Sequence, residues 1–170
     1  GGRMIDGTGN PWVYADIAIK DGKIAAIGKI KPASGTRAIN AKGYIVSPGY
    51  IDMHTHSDQP IVADGNAESK VRQGVTLDII GESQTVAPLE GALLEEYRLE
   101  HRRRNGIETD WKTFTGYFSR VMKDGISINV ASGVSPQQVK RFVCGFEERP
   151  ANAAEQEKMN RLVAQAMEEG

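Results

Sequence analysis

After Ser47-Pro48-Gly49 the sequence stops reading as hairpins and begins to alternate short apolar runs with longer helical ones. Tyr50–His54, Val75–Ile80 and Ile126–Ala131 have the length and apolar content of strands. Helices are predicted over Ala67–Gln73, Leu89–Arg104, Trp111–Lys123, Gln137–Val143 and Asn152–Glu169. Strands separated by helices pair in parallel, because each connection must cross back over the sheet, and it crosses right-handedly. This alternation restricts residues 49–170 to an α/β architecture. The last helix has the sharpest start: Asn152 and Glu155 are spaced as a capping box, and Met159, Leu162, Val163, Ala166 and Met167 recur at helical spacing.

Residues 1–48 follow a different rule. Ala15–Lys20 alternates, Asp21-Gly22 marks a tight turn, and Lys23–Ile27 returns. Further strands are predicted around Arg37–Asn40 and Tyr44–Val46. This prelude reads as antiparallel β, part of a small β-sandwich. A (β/α)8 barrel takes about 250 residues, whereas this chain has 170. The expectation is therefore an N-terminal fragment: part of a β-sandwich over 1–48, then the first three βα units of a TIM-type barrel over 49–170.

Composition excludes several roles. With 21 basic and 22 acidic residues the net charge is −1, so no basic field draws the chain to nucleic acid or to an anionic membrane. The densest basic run, His101-Arg102-Arg103-Arg104, follows Glu95, Glu96 and Glu100 and reads as a solvated helix face, His101 included. Cys144 is the single cysteine, which excludes an internal disulfide and a cysteine-based zinc site. No apolar run approaches the roughly 20 residues of a membrane span, and no signal peptide is visible. A cytoplasmic location is expected, or the periplasm or exterior if a leader has been removed. Gly22 to Lys29 fails the spacing of a phosphate-binding loop. Trp111, Phe114 and Phe118 fall at helical spacing and read as core.

Two of the three histidines stand one residue apart in Pro48-Gly49-Tyr50-Ile51-Asp52-Met53-His54-Thr55-His56. Alternate strand residues share a face, so His54, His56 and Asp52 are expected on one side. The pair lies where an apolar strand hands over to the polar loop Ser57-Asp58-Gln59. Active sites of parallel barrels form at that end of a strand, and paired imidazoles there can hold a divalent metal. The competing reading is a pair of surface or core histidines. Asp52 could orient a ligating histidine or serve as a buried acceptor. Asp58 could approach the site or lie on the loop surface.

That stretch resembles the P-G-[FY]-I-D-x-H-x-H signature of the amidohydrolase superfamily. The prelude Gly2-Arg3-Met4-Ile5-Asp6-Gly7-Thr8-Gly9 and Asp16–Ile24 resembles it too. Gln73-Gly74-Val75-Thr76, Val86-Ala87-Pro88-Leu89, Ile128–Ser132 and Glu148-Arg149-Pro150 resemble the N-acyl-D-amino-acid deacylase (D-aminoacylase) branch. The resemblance implies a (β/α)8 barrel, one or two zinc or similar divalent ions, and hydrolysis of a non-peptide amide in a small N-acyl amino acid. It also implies two further histidine ligands and a catalytic aspartate beyond Gly170, so that residues 1–170 alone are expected to be inactive. Many relatives place a cysteine ligand just after the second barrel strand. Here the segment reads Ile80-Gly81-Glu82-Ser83-Gln84. Glu82 is then either a replacement ligand or a rim residue facing solvent or substrate. The Gly-His-Gly that many relatives carry after the third strand is Gly133-Val134-Ser135 here, which leaves substrate preference open. A cyclic amidase of the dihydroorotase or hydantoinase type is the alternative, and a non-catalytic piece the third reading.

Overall fold

The computed structural model describes all of residues 1–170, in two compact units, Gly1–Gly49 and Tyr50–Gly170. In the first, strands β1 (Gly2–Met4), β2 (Val13–Lys20), β3 (Lys23–Gly28) and β4 (Ile45–Val46) form a sheet ordered β3-β2-β1-β4. The β2–β3 hairpin turns on Asp21 at φ 52° and Gly22 at φ 72°. Two successive positive φ values match the twist of the strands, which is why an Asp-Gly pair stands there. β1 pairs antiparallel with β2 and parallel with β4. The strand predicted around Arg37–Asn40 does not form. That segment runs as exposed coil, and its backbone finds no neighbouring ladder.

The second unit holds three parallel strands, β5 (Tyr50–Asp52), β6 (Val75–Ile80) and β7 (Asn129–Ser132), in the order β5-β6-β7. Six helices accompany them: α1 (Pro60–Ala63), α2 (Glu68–Val71), α3 (Gly91–Asn105), α4 (Phe114–Asp124), α5 (Pro136–Cys144) and α6 (Ala153–Glu168). The core gathers Ile80 of β6, Leu93, Leu94 and Tyr97 of α3, Phe114, Tyr117 and Val121 of α4, and Val86, Leu89, Trp111 and Ile128 from the connections. The polar atoms of its aromatic side chains are paired. Trp111 Nε1 donates to Val86 O at 2.9 Å, and the Tyr97 hydroxyl to Gln138 Oε1 at 2.8 Å.

Differences from the predicted boundaries have local causes. The predicted strand Tyr50–His54 ends at Asp52, whose carboxylate accepts the His54 N–H at 3.2 Å and turns the chain out of the sheet. α2 is short because Ala67 sits at φ 45°, in the left-handed region. α3 starts late because the Leu89 N–H is committed to Lys112 O. Thr113 caps α4 by accepting from Gly116 N at 3.1 Å, which leaves Trp111 ahead of the helix. The one-turn helix α1, opened by Pro60 at its first position, is too short to leave a periodic pattern in the sequence. No helix is long and apolar enough to cross a membrane.

The capping box of α6 is present in full: Asn152 Oδ1 accepts from Glu155 N at 2.9 Å, and Glu155 Oε2 from Asn152 N at 2.8 Å. Asn152→Ala removes one of these bonds and is expected to cost about 1 kcal/mol, read as a lowered urea midpoint.

His101 corrects the sequence reading: it is 1 % exposed, not solvated. Leu93, Tyr97 and His101 form a stripe at four-residue spacing on α3, which turns the histidine inward while Arg102, Arg103 and Arg104 stay outside. Its Nδ1 meets Thr109 Oγ1 at 2.6 Å, and its ring lies between Tyr97 and Trp111. Burial lowers its pKa from 6.5, partly offset by Glu100. The unfolded chain then takes up the proton first as pH falls, so stability is retained above about pH 6.5 and declines as pH drops toward the depressed folded value. His101→Phe is expected to shrink the loss of stability between pH 7 and pH 5, measured by urea unfolding at both.

Candidate metal centre

The turn at Asp52 places His54 and His56 in the loop after β5 rather than on the strand itself. Strand alternation therefore does not align them. The loop does, with ring centroids 5.7 Å apart and planes at 77°. Glu82 arrives from the end of β6 through Gly81, at φ 91°, where a Cβ would lie 2.8 Å from Gly133 O and from Ser132 Oγ. Only glycine fits that crossing beside β7. The chain so turned brings Glu82 Oε2 into contact with His54 Nε2 and within 3.7 Å of His56 Nε2.

One donor atom from each of His54, His56 and Glu82 lies within 4.8 Å of the others. Ligand bonds of about 2.0–2.2 Å put two donors of one ion at most about 4.4 Å apart, so small side-chain rotations bring all three to a single ion. Two imidazole nitrogens and a carboxylate are a donor set suited to zinc. The side chains are 66 %, 71 % and 53 % exposed, which leaves the cluster open to a small molecule.

The remaining sequence candidates fall nearby. Asp52 touches neither ring. One of its oxygens holds the His54 backbone N–H and the other accepts from Lys70 Nζ at 2.6 Å. The Lys70 hydrogen bond, aided by that N–H, keeps the Asp52 carboxyl below the usual carboxylate range. Asp58 is half-buried; burial raises its carboxyl pKa, and its backbone carbonyl accepts from the Tyr117 hydroxyl at 2.9 Å.

Lys70, Thr55, Ser57 and Asp78 were not singled out from the sequence. Asp78 carried a signal, an acidic residue inside the apolar run Val75-Thr76-Leu77-Asp78-Ile79-Ile80, where burial demands a partner. Lys70 carried none, since it stands in a polar stretch. Burial pulls the Lys70 ammonium down, but Asp52 and Asp78 outweigh it and leave its pKa raised.

No family model matches the chain. The chain is 34 % identical over its whole length to the N-acyl-D-glutamate deacylase of Alcaligenes xylosoxydans xylosoxydans, covering 34 % of that protein. It superposes along its full length on 36 % of a D-aminoacylase solved in a study of its binuclear metal centre, with TM-score 0.85 and 29 % identity. It likewise matches the N-acyl-D-glutamate deacylase of Bordetella bronchiseptica, solved with zinc and a phosphonate mimic of the tetrahedral intermediate. There the TM-score is 0.83 and the identity 32 %, over 99 % of this chain and 35 % of that one. The chain thus spans about a third of the length of these relatives, and its mixed α/β fold is theirs over that third.

Proposed function

We propose, from the premise that this chain is homologous over its whole length to the D-aminoacylases, a subset of the amidohydrolases, that the whole protein removes the acyl group from N-acyl-D-amino acids. The observation that carries the reading is the convergence of His54, His56 and Glu82 at the ends of two neighbouring parallel strands. Those residues would hold the ion, the histidines through ring nitrogens and Glu82 through its carboxylate. A divalent ion such as zinc supplies an acidified bound water and polarises the amide carbonyl. The loop after β5 carries both imidazoles, and Glu82 reaches them from the end of β6. As ligands, these three residues are not available to carry the water proton to the leaving amine. That task is assigned to an aspartate outside residues 1–170, and with it the barrel strands that complete the site. The products are a carboxylic acid and a free D-amino acid.

Racemic N-acyl amino acids, N-acylglutamate among them, test this. The full-length protein is expected to hydrolyse one enantiomer, the D form, and to stop at half conversion. Turnover of dihydroorotate or hydantoins with no deacylation would overturn the assignment.

A further inference from the structure

Behind the His54–His56 loop lies a charged cluster for which the proposed chemistry has no use. Lys70 of α2 is its centre. Its side chain is 19 % exposed and its ammonium donates to Asp52 Oδ2 at 2.6 Å and Thr55 Oγ1 at 2.8 Å, with Asp78 Oδ2 at 3.5 Å. Asp78, fully buried on β6, accepts from Ser57 Oγ at 2.5 Å, and its other oxygen has no hydrogen-bond partner. Asp52 holds the His54 N–H. Positions 54, 55 and 57 are thus each tied to one cluster, by an amide and two hydroxyls. His56 has neighbours anchored on both sides.

A part-buried ammonium and a buried carboxylate are costly to desolvate and are weak evidence for stability. What this cluster does is geometric: it joins the end of β5, α2, β6 and the loop at a single point, and both imidazoles project from the loop it grips. Their side chains are mostly exposed and touch chiefly each other and Glu82, so the course of the loop sets where they point. We propose that Lys70, acting with Asp78, is a positioning residue for the metal site, presetting the His54–His56 loop so that both rings meet Glu82. This inference rests on the reading of His54 and His56 as metal ligands.

The test uses the full-length protein, with zinc affinity measured by competition against a chromophoric chelator well below the melting transition. Cobalt(II) absorption then reports the ligand geometry. Partners that orient metal ligands typically affect metal affinity by about 10–100-fold. Lys70→Met is expected to weaken zinc binding within that range and to shift the cobalt band, and Ser57→Ala to do the same more weakly. His54→Ala is the control. If it loses the metal while folded Lys70→Met and Ser57→Ala bind as the parent does with an unchanged band, the positioning role is overturned and the metal site stands. A lowered melting temperature with parent-like affinity and band marks a merely structural lysine and also overturns it. If His54→Ala keeps parent-like affinity, the ligand reading itself fails. Should circular dichroism show Lys70→Met to be unfolded, Ser57→Ala decides, because it removes one tether and leaves the buried charges paired.

Discussion

Replacing His54 and His56 together by alanine is expected to leave the full-length protein without bound zinc and to lower the proposed deacylase activity by more than about 10³-fold. Loss of a residue that merely orients a ligand costs about 10–100-fold, and here two ligands go at once. The fold is expected to survive, because both side chains are mostly exposed and contact chiefly each other and Glu82. Metal content by mass spectrometry, turnover and far-UV circular dichroism are read on the same preparation. A folded double variant that retains stoichiometric zinc and turnover would remove the basis of the functional proposal. Glu82→Gln is a finer probe. It keeps an oxygen at the same place but removes the charge, so zinc affinity should fall while the histidines still hold an ion.

The largest effect on stability is expected at Tyr117. It is fully buried on α4, packs edge-on against Trp111 and Phe118, and donates its hydroxyl to the Asp58 carbonyl at 2.9 Å. Burial, with the nearby Asp58, raises its phenol pKa, so it stays protonated and able to donate. Truncation of a large buried aromatic costs about 3–5 kcal/mol. At about 2–4 °C per kcal/mol for a chain of 150–250 residues, Tyr117→Ala should melt roughly 6–20 °C below the parent. Tyr117→Phe keeps the ring and should cost about 1–3 kcal/mol, because the Asp58 carbonyl loses its partner. A melting temperature for Tyr117→Ala within a degree or two of the parent would show that this core is not what holds the loop after His56. The prediction joins packing to function, since Asp58 lies two residues beyond His56.

Much of the architecture was legible because it is encoded locally. The β6 run, the capping box of α6 and the Asp21-Gly22 hairpin each depend on residues within a few positions of one another. His54 and His56 could be singled out for the same reason. Errors arose where a local pattern met a distant partner. His101 sits in a run of charges yet faces Trp111, because Leu93 and Tyr97 align it with an inward stripe. The strand expected at Arg37–Asn40 lacked a neighbour to pair with. The Asp52 carboxylate captured the His54 amide and shortened β5, a choice that alternation cannot foresee.

By itself the sequence determined the βα alternation and placed two histidines one residue apart just after an apolar run, residue types able to ligate a metal. Only the tertiary structure decided that Glu82 meets those histidines and that Lys70 and Asp78 underpin their loop. The physical reason is separation along the chain: Lys70 reaches Asp52 across 18 positions and Ser57 reaches Asp78 across 21. Parallel pairing of β5 with β6 brings such residues side by side, and no short window of sequence contains both ends of the contact.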